Sequence, residues 1–208
     1  MNILALGAHF DDVELGCGGA LVKHAQEKDK VIIYVATLSG YSSYDKKLVR
    51  KNEIAYQEGN KAAGILGAKL ICGRFKTLKL EFTEELNAEL LKIIENNQID
   101  LIYTHWLGDV HHDHYALARA ACHAGRHVKR LLMYRSNWYH SSGEFRGNFY
   151  VDISRTWEAK EMAIKAHKSE YERVGKKWIE FFRKEAENAG QRIGVPLAEV
   201  FELVKWIG

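Results

Sequence analysis

Six short apolar runs alternate with helical patterns along most of this chain, and that alternation admits few folds. Ile3 to Ala8 is followed by a helical spacing at Leu15, Ala20, Leu21, Val22 and Ala25. Lys30 to Leu38 is followed by a helical stretch from about Asp45 to Leu66, which Gly67 can close as a C-cap. Leu70 to Phe75 precedes Thr83-Glu84-Glu85-Leu86, a helix start with threonine ahead of acidic residues, and Leu86, Leu90, Ile93 and Ile94 continue it as an apolar stripe. Asp100 to Thr104, a polar loop, a helix over Tyr115 to Gly125, Arg130 to Tyr134 and Asn148 to Ile153 complete the series. Strands that alternate with helices predict an α/β fold: a Rossmann-like, mostly parallel sheet flanked by helices. From about Arg155 to Ala189 the chain is helical and charged with a break near Val174-Gly175, so we expect two extra C-terminal helices in an extension of about 155–208. With 208 residues, one core is expected to serve the whole of 1–208 as a single domain.

Charge and composition exclude several classes. The 30 basic residues are interspersed with 27 acidic ones for a net +3, without the basic block a nucleic-acid partner calls for. No run approaches the roughly 20 apolar residues needed to span a bilayer, and the start lacks the basic end of a signal peptide. Cys17, Cys72 and Cys122 are odd in number and far apart, which fits reduced core thiols and a cytoplasmic protein.

In open α/β sheets ligands bind beyond the carboxyl ends of strands, so polar residues directly after apolar runs come first. Two such segments are rich in metal-ligating side chains. After the first run stands Ala8-His9-Phe10-Asp11-Asp12-Val13-Glu14, and after Thr104 comes a stretch ending His111-His112-Asp113-His114. Residues 105–114 hold four of the chain's ten histidines, a density that scattered core or surface histidines do not produce. Imidazole and carboxylate together suit zinc, whose catalytic sites take three protein ligands and leave a fourth position open. His9 and Asp12, three apart at a strand-to-helix turn, can face one side, with Asp11 turned elsewhere as a base for the water that zinc acidifies. His111 and His114 are also three apart; His114 can take the metal and leave His111 free for acid or oxyanion work. Asp113 can reach His111 across a turn and favour its charged form. A lone Asp-Asp pair before a helix reads as capping; two clusters at corresponding strand ends favour the metal. Glu14 is read as a capping or supporting group.

These motifs resemble those of the zinc-dependent de-N-acetylases typified by N-acetylglucosaminyl-phosphatidylinositol deacetylase and the bacterial lincomycin-cluster-like proteins. That family carries Ala-His-Pro-Asp-Asp-x-Glu and His-x-Asp-His; here Phe10 replaces the proline, and Gly18-Gly19 follows as it does there. The likeness extends through Thr37-Leu38-Ser39-Gly40, Leu66-Gly67 and Val151-Asp152-Ile153-Ser154 to Lys160, Ala163, His167 and Ser169. The resemblance implies Zn2+ on His9, Asp12 and His114, Asp11 as general base, and His111 paired with Asp113 at the oxyanion or the leaving amine. It also implies amide hydrolysis on a small-molecule amino sugar and a possible homo-oligomer. The family's arginine, three residues ahead of a helical glutamate, falls on Ala55 if Glu58 is that glutamate, with Arg50 the candidate to replace it. Ser169-Glu170 stands where the family has Ser-Gln.

The stretch 134–143 mixes aromatics and hydrogen-bond donors in a composition suited to stacking on a sugar ring, or to a plain surface loop. Trp157, Trp178, Phe181 and Phe182 read as packing or subunit contact. Two alternatives remain: another N-acyl amide as substrate, and a nucleotide-binding module, against which Gly16-Cys17-Gly18-Gly19 lacks the dinucleotide glycine spacing.

Overall fold

The computed structural model of the chain describes residues 1–141 and 143–208. Its first half runs β1 (Asn2–Gly7), α1 (Asp12–Gln26), β2 (Lys30–Thr37), a hairpin of β3 (Tyr41–Ser42) and β4 (Leu48–Arg50), α2 (Asn52–Ile65), β5 (Lys69–Phe75) and α3 (Glu84–Asn96). The second half runs β6 (Leu101–His105), α4 (His112–Ala124), β7 (Arg130–Tyr134), β8 (Phe149–Asp152), α5 (Trp157–Ala166), α6 (Lys168–Val174), α7 (Lys177–Ile193) and β9 (Ala198–Trp206). The sheet order is β5-β2-β1-β6-β7-β9-β8. The first five are parallel, and β9 lies antiparallel between β7 and β8. The fold is therefore the expected α/β one with a mostly parallel sheet.

Parallel strands are covered on both faces, which is why they read as continuous apolar runs. In β1, Ile3 and Ala5 face a core built with α1, α2 and α5, whereas Leu4 and Leu6 face the one built with α3 and α4. On α3 the expected stripe is buried, and Leu86 and Leu90, wholly inaccessible, each contribute roughly 1.5–3 kcal/mol. The Thr83 hydroxyl accepts from the Leu86 amide and caps that helix. Gly67, at φ 71, closes α2 as expected, in a conformation that favours glycine.

Three expectations are corrected. Residues 45–50 are not helical: Leu48–Arg50 pairs with Tyr41–Ser42, and α2 begins only at Asn52. The C-terminal helices number three, because the chain breaks at His167 as well as at Gly175. The tail is not helical throughout: Ala198–Trp206 is a strand inside the sheet, and Glu199 at its start disguised the apolar alternation. That carboxylate is buried, accepting from the Gly19 and Ala20 amides at 2.9 and 2.7 Å and from Lys160 Nζ at 2.6 Å. A Cβ on Gly19 would lie 2.7 Å from Ile153, so a glycine is needed where α1 meets the end of β8.

Strand order reverses between β1 and β6, the topological switch point at which such sheets bind ligands. Among the described residues no helix is long and apolar enough to cross a membrane, and the three cysteines are free.

Candidate metal centre

The segments leaving β1 and β6 meet at that crevice. His9 Nδ1 lies 3.3 Å from Asp12 Oδ2, His114 Nε2 lies 3.2 Å from Asp12 Oδ1, and the two ring nitrogens are 3.3 Å apart. A tetrahedral ion with bonds of about 2.0–2.2 Å sets its ligand atoms about 3.3–3.6 Å from one another. The two nitrogens meet different Asp12 oxygens, and close sets of ligand atoms also form as His9, His111 and His114 and as Asp12, His105 and His114, so this cluster could hold a small divalent metal.

Both imidazoles are aimed by carboxylates. His9 Nε2 donates to Asp113 Oδ2 at 2.9 Å, and His114 Nδ1 donates to Asp109 Oδ2 at 3.0 Å. Each bond leaves the other ring nitrogen facing the centre, the usual arrangement behind a metal-ligating histidine. Asp109 also accepts from the His111 amide and from Asn137 Nδ2, and Asp113 from the amides of Leu78 and Leu80. Asp12 Oδ2 accepts from the His9 amide at 2.7 Å and Oδ1 from Ser136 Oγ at 2.9 Å. Burial opposes the charged imidazoles, yet hydrogen bonds to Asp113 and Asp12 raise His9 to about 9. Against the same burial, the charge of Asp12 and the bond to Asp109 raise His114 to about 10. Asp12 itself is held well below the ordinary carboxylate value, its burial overcome by His114 and His105. The cluster concentrates negative potential where a cation would sit.

Asp113 requires a correction. Its carboxylate hydrogen-bonds to His9 and not to His111, to which the Asp113 amide donates at Nδ1 at 3.2 Å. His111 is consequently not pushed toward its charged form: burial and the nearby imidazoles His114 and His9 lower it to about 4. With Nδ1 accepting, the neutral ring carries its proton on Nε2.

Asp11 precedes Asp12 at φ 129, a strained value for a residue with a side chain. Burial and the neighbouring Asp12 raise its carboxyl to about 7, with Arg50 at 3.7 Å pulling the other way. Arg50 is buried, donates to the Phe10 carbonyl and lies 2.9 Å from Glu58, while Ala55 is packed in the core. Glu58 also accepts from the Ser169 amide and hydroxyl. Glu14 is buried 3.3 Å from His167. Phe10 fits because position 59 is glycine, where a Cβ would overlap the ring.

A pocket of about 430 Å³ opens over these groups, walled by Tyr41, Ser136, Asn137, Trp138, Tyr139 and Trp178. The 134–143 stretch thus divides: Tyr134 is core, its hydroxyl bonded to the Leu6 carbonyl, residues 136–139 face the pocket, and Ser142 lies outside the described residues. Trp157, Trp178 and Phe182 pack together as expected, although Trp178 also reaches the pocket.

Two residues with a place in this centre were given no role from sequence. Asp109 orients His114, and His105 stacks on the His114 ring at 3.9 Å while its Nε2 accepts from the Ala8 amide. Both belong to the histidine-rich stretch, which signalled a site without dividing its labour.

A model of the PIG-L family, GlcNAc-PI de-N-acetylase, matches residues 4–125. The chain is 32% identical over 184 residues to the uncharacterized deacetylase YaiS of Escherichia coli, covering 81% of this chain and 91% of that protein. It is 26% identical over 228 residues to the diacetylchitobiose deacetylase of Thermococcus kodakarensis, covering 99% and 84%. The crystal structure of the conserved protein TT1542 from Thermus thermophilus superposes with a TM-score of 0.86 at 25% identity, covering 100% of this chain and 96% of that one.

Proposed function

This chain belongs to the PIG-L family of GlcNAc-PI de-N-acetylases, and from that premise we propose that it is a zinc-dependent hydrolase removing the N-acetyl group from an N-acetylglucosamine-type amino sugar. The observation that carries the proposal is the approach of His9, Asp12 and His114 to within 3.2–3.3 Å of one another beside a carboxyl raised to about 7. The relative from Thermococcus kodakarensis, named for diacetylchitobiose, supports the sugar. The three free thiols fit a cytoplasmic setting.

In this reading His9, Asp12 and His114 hold the zinc. When bound, zinc supplies Lewis-acid polarisation and brings the pKa of water to about 7. Asp11 accepts the proton of the attacking water; a carboxyl poised near neutrality is suited to take a proton and give it back. The Nε2–H of neutral His111 donates to the acetyl oxygen as charge builds there. As the carbon–nitrogen bond breaks, Asp11 returns its proton to the amine nitrogen; the water's second proton leaves the new carboxyl group, and water plus amide become acetate plus the protonated amine. Asp113 and Asp109 act through His9 and His114 as positioning residues.

Metal analysis of the purified protein and of His114→Ala, beside acetate release from N-acetylglucosamine derivatives by Asp11→Ala, tests the proposal. Zinc near one per chain, its loss in His114→Ala, and a fall in rate of at least about 10²-fold with zinc retained in Asp11→Ala are expected. Zinc that persists in His114→Ala would break the ligand assignment, and undiminished acetate release would remove Asp11 from the reaction.

A further inference from the structure

A second and larger cavity, about 910 Å³, lies beside the metal pocket, and Tyr139 lines both. Its walls carry Arg135, Arg146 and Arg192 together with Trp106 and Tyr150. Among the described residues none of the three guanidinium groups forms an ion pair, and the only hydrogen bond from any of them is a long one, 3.5 Å, from Arg135 to the Tyr139 carbonyl. Glu144 and Glu185 also line the cavity, so the arginines do not create a strong general field; what they offer is local, forked donors. Such donors match the paired oxygens of a phosphate or carboxylate. Aromatic rings on the same walls suit the faces of a sugar.

We propose that this arginine-lined cavity is a subsite for an oxyanion, phosphate or carboxylate, carried by the part of the substrate beyond the N-acetylated sugar. The inference rests on the deacetylase reading for its first sugar only. That sugar sits over His9, Asp12 and His114, the next unit passes Tyr139, and the anion meets Arg146 from the loop ahead of β8 and Arg192 from α7. Ser136, bonded to Asp12, and Asn137, bonded to Asp109, stand between Arg135 and Tyr139, both of which line this cavity, so neighbouring residues serve both ends of the substrate.

The test compares N-acetylglucosaminyl-glucose with its glucose 6-phosphate and glucuronic acid counterparts, which differ in the anion alone, on the zinc-loaded protein and on Arg146→Ala/Arg192→Ala. Both arginines are exposed, so the substitutions leave the core untouched. The native protein is expected to favour one or both anionic substrates, and the preference to fall about tenfold in the double variant through KM and not kcat; which counterpart responds identifies phosphate or carboxylate. Equal kcat/KM for all three substrates, or a preference unchanged in the variant, overturns the subsite. Calorimetric binding of the same compounds separates the two readings. Anion-dependent affinity without acetate release sinks the deacetylase reading and keeps the subsite, whereas acetate release with anion-independent affinity does the reverse.

Discussion

Replacing Asp109 by alanine tests whether the second carboxylate behind the centre holds His114 in place. The substitution strips His114 Nδ1, the His111 amide and Asn137 Nδ2 of their acceptor at once. Asn137 is half-buried and can turn to water, but His114 is almost wholly enclosed, and a buried donor left without an acceptor costs about 1–3 kcal/mol. The charge adds to this. Despite burial, the His114 bond holds Asp109 down at about 2 from 3.8, so its contribution is fully present above about pH 4 and fades as the pH falls toward 2. At neutral pH we expect a loss of about 2–3 kcal/mol, or roughly 4–12 °C in Tm for a chain of this size. Calorimetry of the metal-free protein reads it. Zinc titration should show affinity lowered about 10–100-fold, as for other carboxylates behind a ligating histidine. Asp109→Asn, which keeps the shape, should recover much of the Tm and little of the affinity. A Tm within a degree of the native value together with unchanged zinc affinity would show that stacking on His105, not Asp109, orients the ring.

Zinc must displace protons from His9 and His114, held at about 9 and 10, so apparent affinity should climb by up to about two decades per pH unit between pH 6 and 9; a flat profile in competition titrations would contradict the ligand set. The same shifts run the other way for the metal-free fold: raised histidine values stabilise it at pH 6 and cease to as the pH passes 9–10, so its Tm should fall over that range. Lys160→Ala leaves Glu199 buried with its charge uncompensated and should cost about 3–5 kcal/mol in denaturant unfolding, far more than an exposed pair such as Lys168–Glu172. Gly59→Ala should cost about 1–3 kcal/mol by driving a methyl into Phe10, and Phe10→Ala should relieve part of that; additive losses in a double-mutant cycle would deny the contact.

The parallel sheet and the two histidine- and aspartate-rich segments are legible in the sequence. Strands buried on both faces must be apolar throughout, and ligand-bearing residues collect just past their carboxyl ends, so both leave local signals in Ile3–Ala8, Asp100–Thr104 and the residues that follow each. The pairings across those segments arise only when distant parts of the chain meet. Asp113 reaches His9 from 104 residues away and not its near neighbour His111, because the turn into α4 points the carboxylate back across the crevice. Arg50 meets Glu58 and Asp11 from the end of a hairpin that a local helical pattern concealed. β9 carries Glu199 into the core, where Lys160 and the amides of α1 satisfy a charge that no strand pattern predicts there. Periodicity reports which face of an element is buried; which buried polar group answers which depends on contacts between residues far apart in the chain, and the sequence records these only as isolated charges.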